Sequence, residues 1–270
     1  MQEIDAIWFL YPVLTIGFSF GTVWYWRKRN SSTWAVLGFS LAAYSGAIVL
    51  KEVVQLLTLG PFEALVSGSL LPLGIYFGAQ TVAFEVGGAY LVASLAVSRR
   101  RLNERDAVGY GLGLAFWENG VLLGIITLIN YTSYFAILAS GSSGLPQLVY
   151  NTLIANEPAL FYPPGTALPL VSLATLERIS SLLIHLSWGC LTLLAAFYQR
   201  RLLLAVALPM GMVDALVPFA PVMGDYVFEA VVLTISVACL AVAMVLTSSV
   251  RRAPGTTTAA PAGSAGSTSL

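Results

Sequence analysis

The chain has 270 residues, of which 57% are hydrophobic and only 10% charged, and its formal net charge is zero. A mean hydropathy of +0.82 is unlike that of a soluble domain and argues against the soluble enzyme classes. There is no glycine-rich phosphate loop, cysteine cluster or His-Glu-x-x-His helix, and the short basic groups flank apolar runs rather than forming a nucleic-acid-binding face.

A membrane-crossing helix needs about 20 apolar residues, and seven runs meet that length loosely. The first, 8–26, follows Glu3 and Asp5 where a cleavable signal peptide would carry positive charge, so it is expected to stay in place as a span. The second, 34–55, contains Lys51-Glu52, which read as charges near a membrane boundary. In the third, 71–97, helical spacing places Gly78, Thr81, Glu85, Gly88 and Ala89 on one stripe, so that Glu85 is expected to face neighbouring helices. The fourth, 107–129, carries Glu118-Asn119; at 1.5 Å per residue Glu118 lies roughly 16 Å into a hydrocarbon core of about 30 Å. Its glycines at 109, 113, 120 and 124 are explained by close helix packing alone.

Residues 130–169 then make a connection of about forty residues, against a typical loop of about 4–6. It is long enough for a lid, and a passive linker with a short surface helix near 145–154 is the plainer expectation. The fifth run, 170–198, places Arg178, Ser181, His185 and Gly189 on one face, with Glu177-Arg178 read as a brace nearer the outer end. The sixth, 202–223, has Asp214 at its centre and Met210 one turn earlier. The seventh, 227–249, opens beside Asp225 and Glu229, again read as boundary charges. Cys190 and Cys239 lie in apolar runs with no metal-type spacing and read as small core residues. Residues 253–270, rich in Ala, Gly, Pro, Ser and Thr, are expected to be a disordered tail.

The expected architecture is therefore an all-α, polytopic membrane helix bundle over residues 1–252, embedded in a lipid bilayer. Eleven of the thirteen Lys and Arg residues fall in four clusters: Arg27 to Arg29, Arg99 to Arg105, Arg200-Arg201 and Arg251-Arg252. With seven spans every cluster lands on one side, which the positive-inside bias makes cytoplasmic, with the N-terminus outside and the C-terminus inside. The location implied is a cell membrane, that of a prokaryote. Four spans each carry an ionisable side chain near mid-depth: Glu85, Glu118, His185 and Asp214. Each costs about 2.5–3.5 kcal/mol there even on a lenient scale, so the four are expected to share one buried polar site.

Four ordered blocks carry a family resemblance over roughly residues 40–220: Phe84-Glu85-Val86-Gly87-Gly88; Gly111 through Asn119; Glu177-Arg178 with His185; and Met210-Gly211-Met212-Val213-Asp214. They resemble the YhfC-type and PrsW-type intramembrane proteases, relatives of the CAAX-processing and bacteriocin-immunity membrane peptidases. The resemblance implies a peptidase acting on a membrane-embedded or juxtamembrane peptide, with Glu85 as general base. His185 and Asn119 would stabilise the oxyanion, while Glu118 and Asp214 orient them. It leaves the cofactor open between a divalent metal such as zinc and none. The chain also departs from the pattern. Phe84 precedes Glu85 with no basic residue through Tyr90, and Leu114 and Met210 stand where histidines are expected. Two other readings stay open: a small proton- or cation-coupled transporter, and a catalytically inactive scaffold that keeps the fold.

Overall fold

The computed structural model describes residues 4–30 and 34–252, so Glu3 and the expected tail 253–270 lie outside the described residues. Within them the chain forms helices α1 (Ala6–Arg29), α2 (Ala35–Val66), α3 (Leu70–Ser98), α4 (Glu104–Ala139), α5 (Leu145–Asn156), α6 (Pro164–Tyr198), α7 (Arg201–Met223) and α8 (Asp225–Arg252), with no strand among the described residues. All but α5 are long and apolar enough to cross a membrane, and they match the seven runs read from sequence.

The helices overrun the apolar runs that specify them. At 1.5 Å per residue, the 32 residues of α2, 36 of α4 and 35 of α6 reach roughly 50 Å, well past a hydrocarbon core of about 30 Å. Residues 130–139, expected to open the long connection, instead complete α4. The irregular part of the connection is thus confined to 140–163 and still contains α5, which covers the short helix expected at 145–154. This segment is anchored. Leu153, Leu160 and Phe161 are buried with Ile4, Trp8, Tyr131, Ala167 and Val171 in a second apolar cluster, and the Asp5 amide donates to the Leu160 carbonyl at 3.4 Å.

Sharp turns separate the spans. Ser67 and Gly68 both take positive φ after α2, and Gly224 does so between α7 and α8. At the opposite end, Arg27 sits over the Trp34 ring at 4.0 Å and Arg29 over Tyr25 at 4.7 Å, a pairing of cation and aromatic that suits a membrane–water interface. The basic clusters lie at the C-terminal ends of α1, α3, α6 and α8 and so share one end of the bundle. If that end is cytoplasmic, single cysteines placed at Arg101 and Ser142, at opposite ends of α4, will label from opposite faces of sealed vesicles. Labelling of both from one face would overturn the orientation.

The bundle is organised around α6. Every residue from Ser187 to Ala196 is buried, in a core shared with Tyr110 and Leu114 of α4 and Ala89, Ala93 and Ala96 of α3. Helix α4 can approach α6 because glycines meet at their crossing. A Cβ on Gly111 would lie 2.6 Å from the Leu186 carbonyl oxygen, and one on Gly189 would lie 2.6 Å from the Gly111 Cα. Lipid tails give helices little hydrophobic reason to associate, so such backbone-to-backbone contact carries much of the packing.

Candidate active site

Three of the spanning helices leave the α-helical path at a carboxylate. Thr81–Val86 of α3 and Phe116–Ile125 of α4 are π-helical, and Gly211–Phe219 of α7 is a 3-10 helix. These segments carry Glu85, Glu118 and Asp214 in turn. A π turn holds an extra residue, which rotates the side chains around it relative to an ideal helix, and such turns occur often at functional sites. Here they aim Glu85 and Glu118 towards α6, while the 3-10 segment brings Asp214 towards α3.

The four side chains expected to meet do so. Glu85, Glu118, His185 and Asp214 line one cavity of about 190 Å³ between α2, α3, α4, α6, α7 and α8, together with Tyr44 and Lys51. His185 Nε2 lies 2.9 Å from Glu118 Oε2 and 3.5 Å from Glu85 Oε2. Its Nδ1 is 2.9 Å from the Ser181 carbonyl oxygen, which can only accept, so Nδ1 carries a hydrogen. The ring packs against Trp188 with centroids 4.8 Å apart. Glu85 and His185 are each only 6% exposed.

Lys51 occupies a place that the sequence reading did not give it. Rather than marking a membrane boundary, its ammonium donates to Glu85 Oε1 at 2.7 Å, Thr81 Oγ1 at 2.8 Å and Asp214 Oδ2 at 2.9 Å. The Thr81 hydroxyl also donates to Asp214 Oδ2. On the other flank Arg178 Nη1 lies 3.3 Å from Glu118 Oε1, and Nη2 pairs with Glu177. When His185 carries a hydrogen on Nε2 as well as Nδ1, a line of alternating charge runs Asp214, Lys51, Glu85, His185, Glu118, Arg178. Each charge stands beside an opposite one, which offsets the cost of holding them at membrane depth.

Asn119 is placed differently from its sequence neighbour. It is fully buried behind the cavity wall; its amide donates to the Arg178 carbonyl at 3.2 Å and its carbonyl accepts from Arg178 Nη1 at 3.4 Å. It holds Arg178 and does not line the cavity. Arg178 is thus both the brace expected for it and a neighbour of the site. Of the two positions where histidines were expected, Met210 lines the cavity, whereas Leu114 is buried against Gly189 of α6. Glu229, read as a boundary charge, is buried as well. One signal in the sequence could have found the missed cations. Lys51 and Arg178 are the two basic residues outside the four clusters, and both are at the site.

A family model described as YhfC intramembrane metalloprotease matches residues 13–237. The chain belongs to the YhfC intramembrane metalloprotease family. The YhfC part of the resemblance thus holds over most of the chain, and the multi-pass membrane architecture agrees with it. Neither the curated proteins nor the solved structures contain a match to the chain.

The YhfC description implies a metal, and the donors present do not fit one. His185 Nε2 and Glu118 Oε2 stand 2.9 Å apart without an aligned hydrogen bond, but these two donors are fewer than the three protein ligands that a zinc site needs. Lys51 already covers one oxygen each of Glu85 and Asp214. No group of three His, Cys, Asp or Glu side chains among the described residues is arranged to hold a metal ion.

Proposed function

We propose that this YhfC family member is an endopeptidase of a prokaryotic plasma membrane that hydrolyses membrane-embedded or juxtamembrane peptide bonds with a water activated by Glu85. The observation that carries this reading is the uneven use of the two glutamates. Glu118 accepts from Arg178 through Oε1 at 3.3 Å and faces His185 Nε2 through Oε2 at 2.9 Å, a position between two neighbours that suits a group that orients them. Glu85 is held through Oε1 by Lys51, while its Oε2 is 3.5 Å from His185, beyond a strong hydrogen bond, and lines the cavity. That oxygen is free to accept a proton.

In this reading Glu85 takes a proton from water as the water oxygen bonds to the scissile carbonyl carbon. The carbonyl oxygen becomes an anion beside the Lys51 ammonium and the His185 ring, whose fixed positions in an apolar surrounding strengthen their stabilising effect. Breaking the C–N bond then returns the proton from Glu85 to the leaving nitrogen. Asp214 and Thr81 hold Lys51, the Ser181 carbonyl orients the His185 ring, which stabilises the oxyanion with a hydrogen on Nε2, and Asn119 keeps Arg178 against Glu118. Asn119 acts here through Arg178 rather than on the oxyanion.

The test is cleavage of a panel of transmembrane peptides by the purified protein in liposomes, with products identified by mass. Cleavage within or beside the membrane segment supports the peptidase. A protein that cleaves nothing but carries protons or cations across the same liposomes would make the charge line a transport path, and one that does neither would be the inactive scaffold.

A further inference from the structure

We propose that Lys51 is the resident cation of this centre, standing where a divalent metal would otherwise sit, so that the wild-type protein binds no such metal and removing the ammonium opens a divalent-cation site. The inference rests on the donor geometry and not on the peptidase reading.

An ammonium has three N–H donors, and Lys51 spends them on Thr81 and Glu85 of α3 and on Asp214 of α7, all at 2.7–2.9 Å. It is a saturated cation in a cage of three oxygens, reached from a third helix, α2. Lys51 is paired with Glu85 and Asp214, and Arg178 with Glu118 and Glu177. A divalent ion would have to displace Lys51 from the Glu85 and Asp214 oxygens that it needs, stranding an ammonium without its partners at membrane depth.

Without Lys51 the logic reverses. Glu85, Glu118 and Asp214 would converge with His185 around a space no longer filled by an ammonium, leaving carboxylates uncompensated. Carboxylates with an imidazole are ligands that suit zinc or manganese. Thr81 would keep Asp214 oriented, as a hydrogen-bonded support does for a ligating carboxylate. The chain's own side chain is therefore what keeps metal out.

The experiment uses the full-length protein purified in detergent, with metal content measured by mass spectrometry and Zn²⁺ and Mn²⁺ titrated by calorimetry and by thermal unfolding. Wild type and Lys51→Arg are expected to carry far less than one metal per chain and to show no metal-dependent rise in Tm. Lys51→Ala is expected to bind about one Zn²⁺ or Mn²⁺ per chain and to recover, on adding it, part of the Tm lost through the substitution. Should Lys51→Ala fail to fold, Lys51→Gln, which keeps a hydrogen-bonding head without the charge, is read in its place. A wild-type protein that carries stoichiometric metal, and loses Tm when a chelator strips it, would overturn the proposal. So would a folded Lys51→Ala or Lys51→Gln that remains metal-free. A wild type that is metal-free yet cleaves no peptide leaves this inference standing and removes only the peptidase reading.

Discussion

Replacing Glu85 with Gln is expected to lower peptide cleavage by about 10²–10⁴-fold, the usual contribution of a positioned general base, while leaving the bundle folded. The substitution keeps the shape of the side chain. Its amide oxygen can still accept from Lys51, which retains Asp214 as its counter-charge at 2.9 Å, so the ammonium is not stranded. What the amide cannot do is take a proton from water. The loss should fall on kcat more than on KM, since Glu85 lies among the ion pairs of the cavity rather than along a substrate-length groove. Rates are measured in liposomes on the best substrate of the peptide panel, with thermal unfolding as the control for structure. Full activity in a folded Glu85→Gln would eliminate the general-base role and shift it to Glu118, whose oxygens would then have to leave Arg178 and His185.

A Leu at Gly111 is expected to do the reverse, damaging structure first and chemistry in consequence. The new Cβ would stand 2.6 Å from the Leu186 carbonyl oxygen and 2.8 Å from its Cα. Both are backbone atoms, with no flexible side-chain end to swing away. Helices α4 and α6 must separate, and overpacking of this kind costs about 1–3 kcal/mol, occasionally more. The same separation pulls Glu118 on α4 from His185 on α6, which now stand 2.9 Å apart, so cleavage falls even in molecules that remain folded. Gly38→Leu is the matched control: Gly38 is exposed on α2, and its Cβ would meet nothing within 4 Å. Folded yield by size-exclusion chromatography and Tm are compared for the two. If Gly111→Leu behaves like Gly38→Leu, the tight α4–α6 crossing is not what positions the site.

The seven spans and the side chains at the site were legible in the sequence for one reason. An apolar solvent makes every polar group conspicuous, so runs of about 20 apolar residues and the few ionisable residues within them mark themselves. Glu85, Glu118, His185 and Asp214 needed no structural information to be singled out as a group, and their meeting in one cavity follows from the cost of burying each alone. The reach of the helices was less legible. Hydropathy tracks the hydrocarbon layer, whereas α2, α4 and α6 continue beyond it, α4 and α6 held there by packing such as the cluster around Trp8, Tyr131 and Phe161.

The sequence by itself thus determined the all-helical membrane architecture, the family and the list of candidate acids and imidazole. Only the tertiary structure decided who partners whom. Lys51 read as a boundary charge because its position in the second run says nothing about α3 and α7, yet those two helices supply all three of its acceptors. Asn119, beside Glu118, read as a member of the site through the family resemblance, but the π-helical turn points one into the cavity and buries the other against Arg178. Linear spacing fixes depth, at 1.5 Å per residue, but not the rotation of one helix against another. That rotation is set by where glycines let backbones touch and where the helical period slips, and it is what places the ammonium of Lys51, rather than open space, between Glu85 and Asp214.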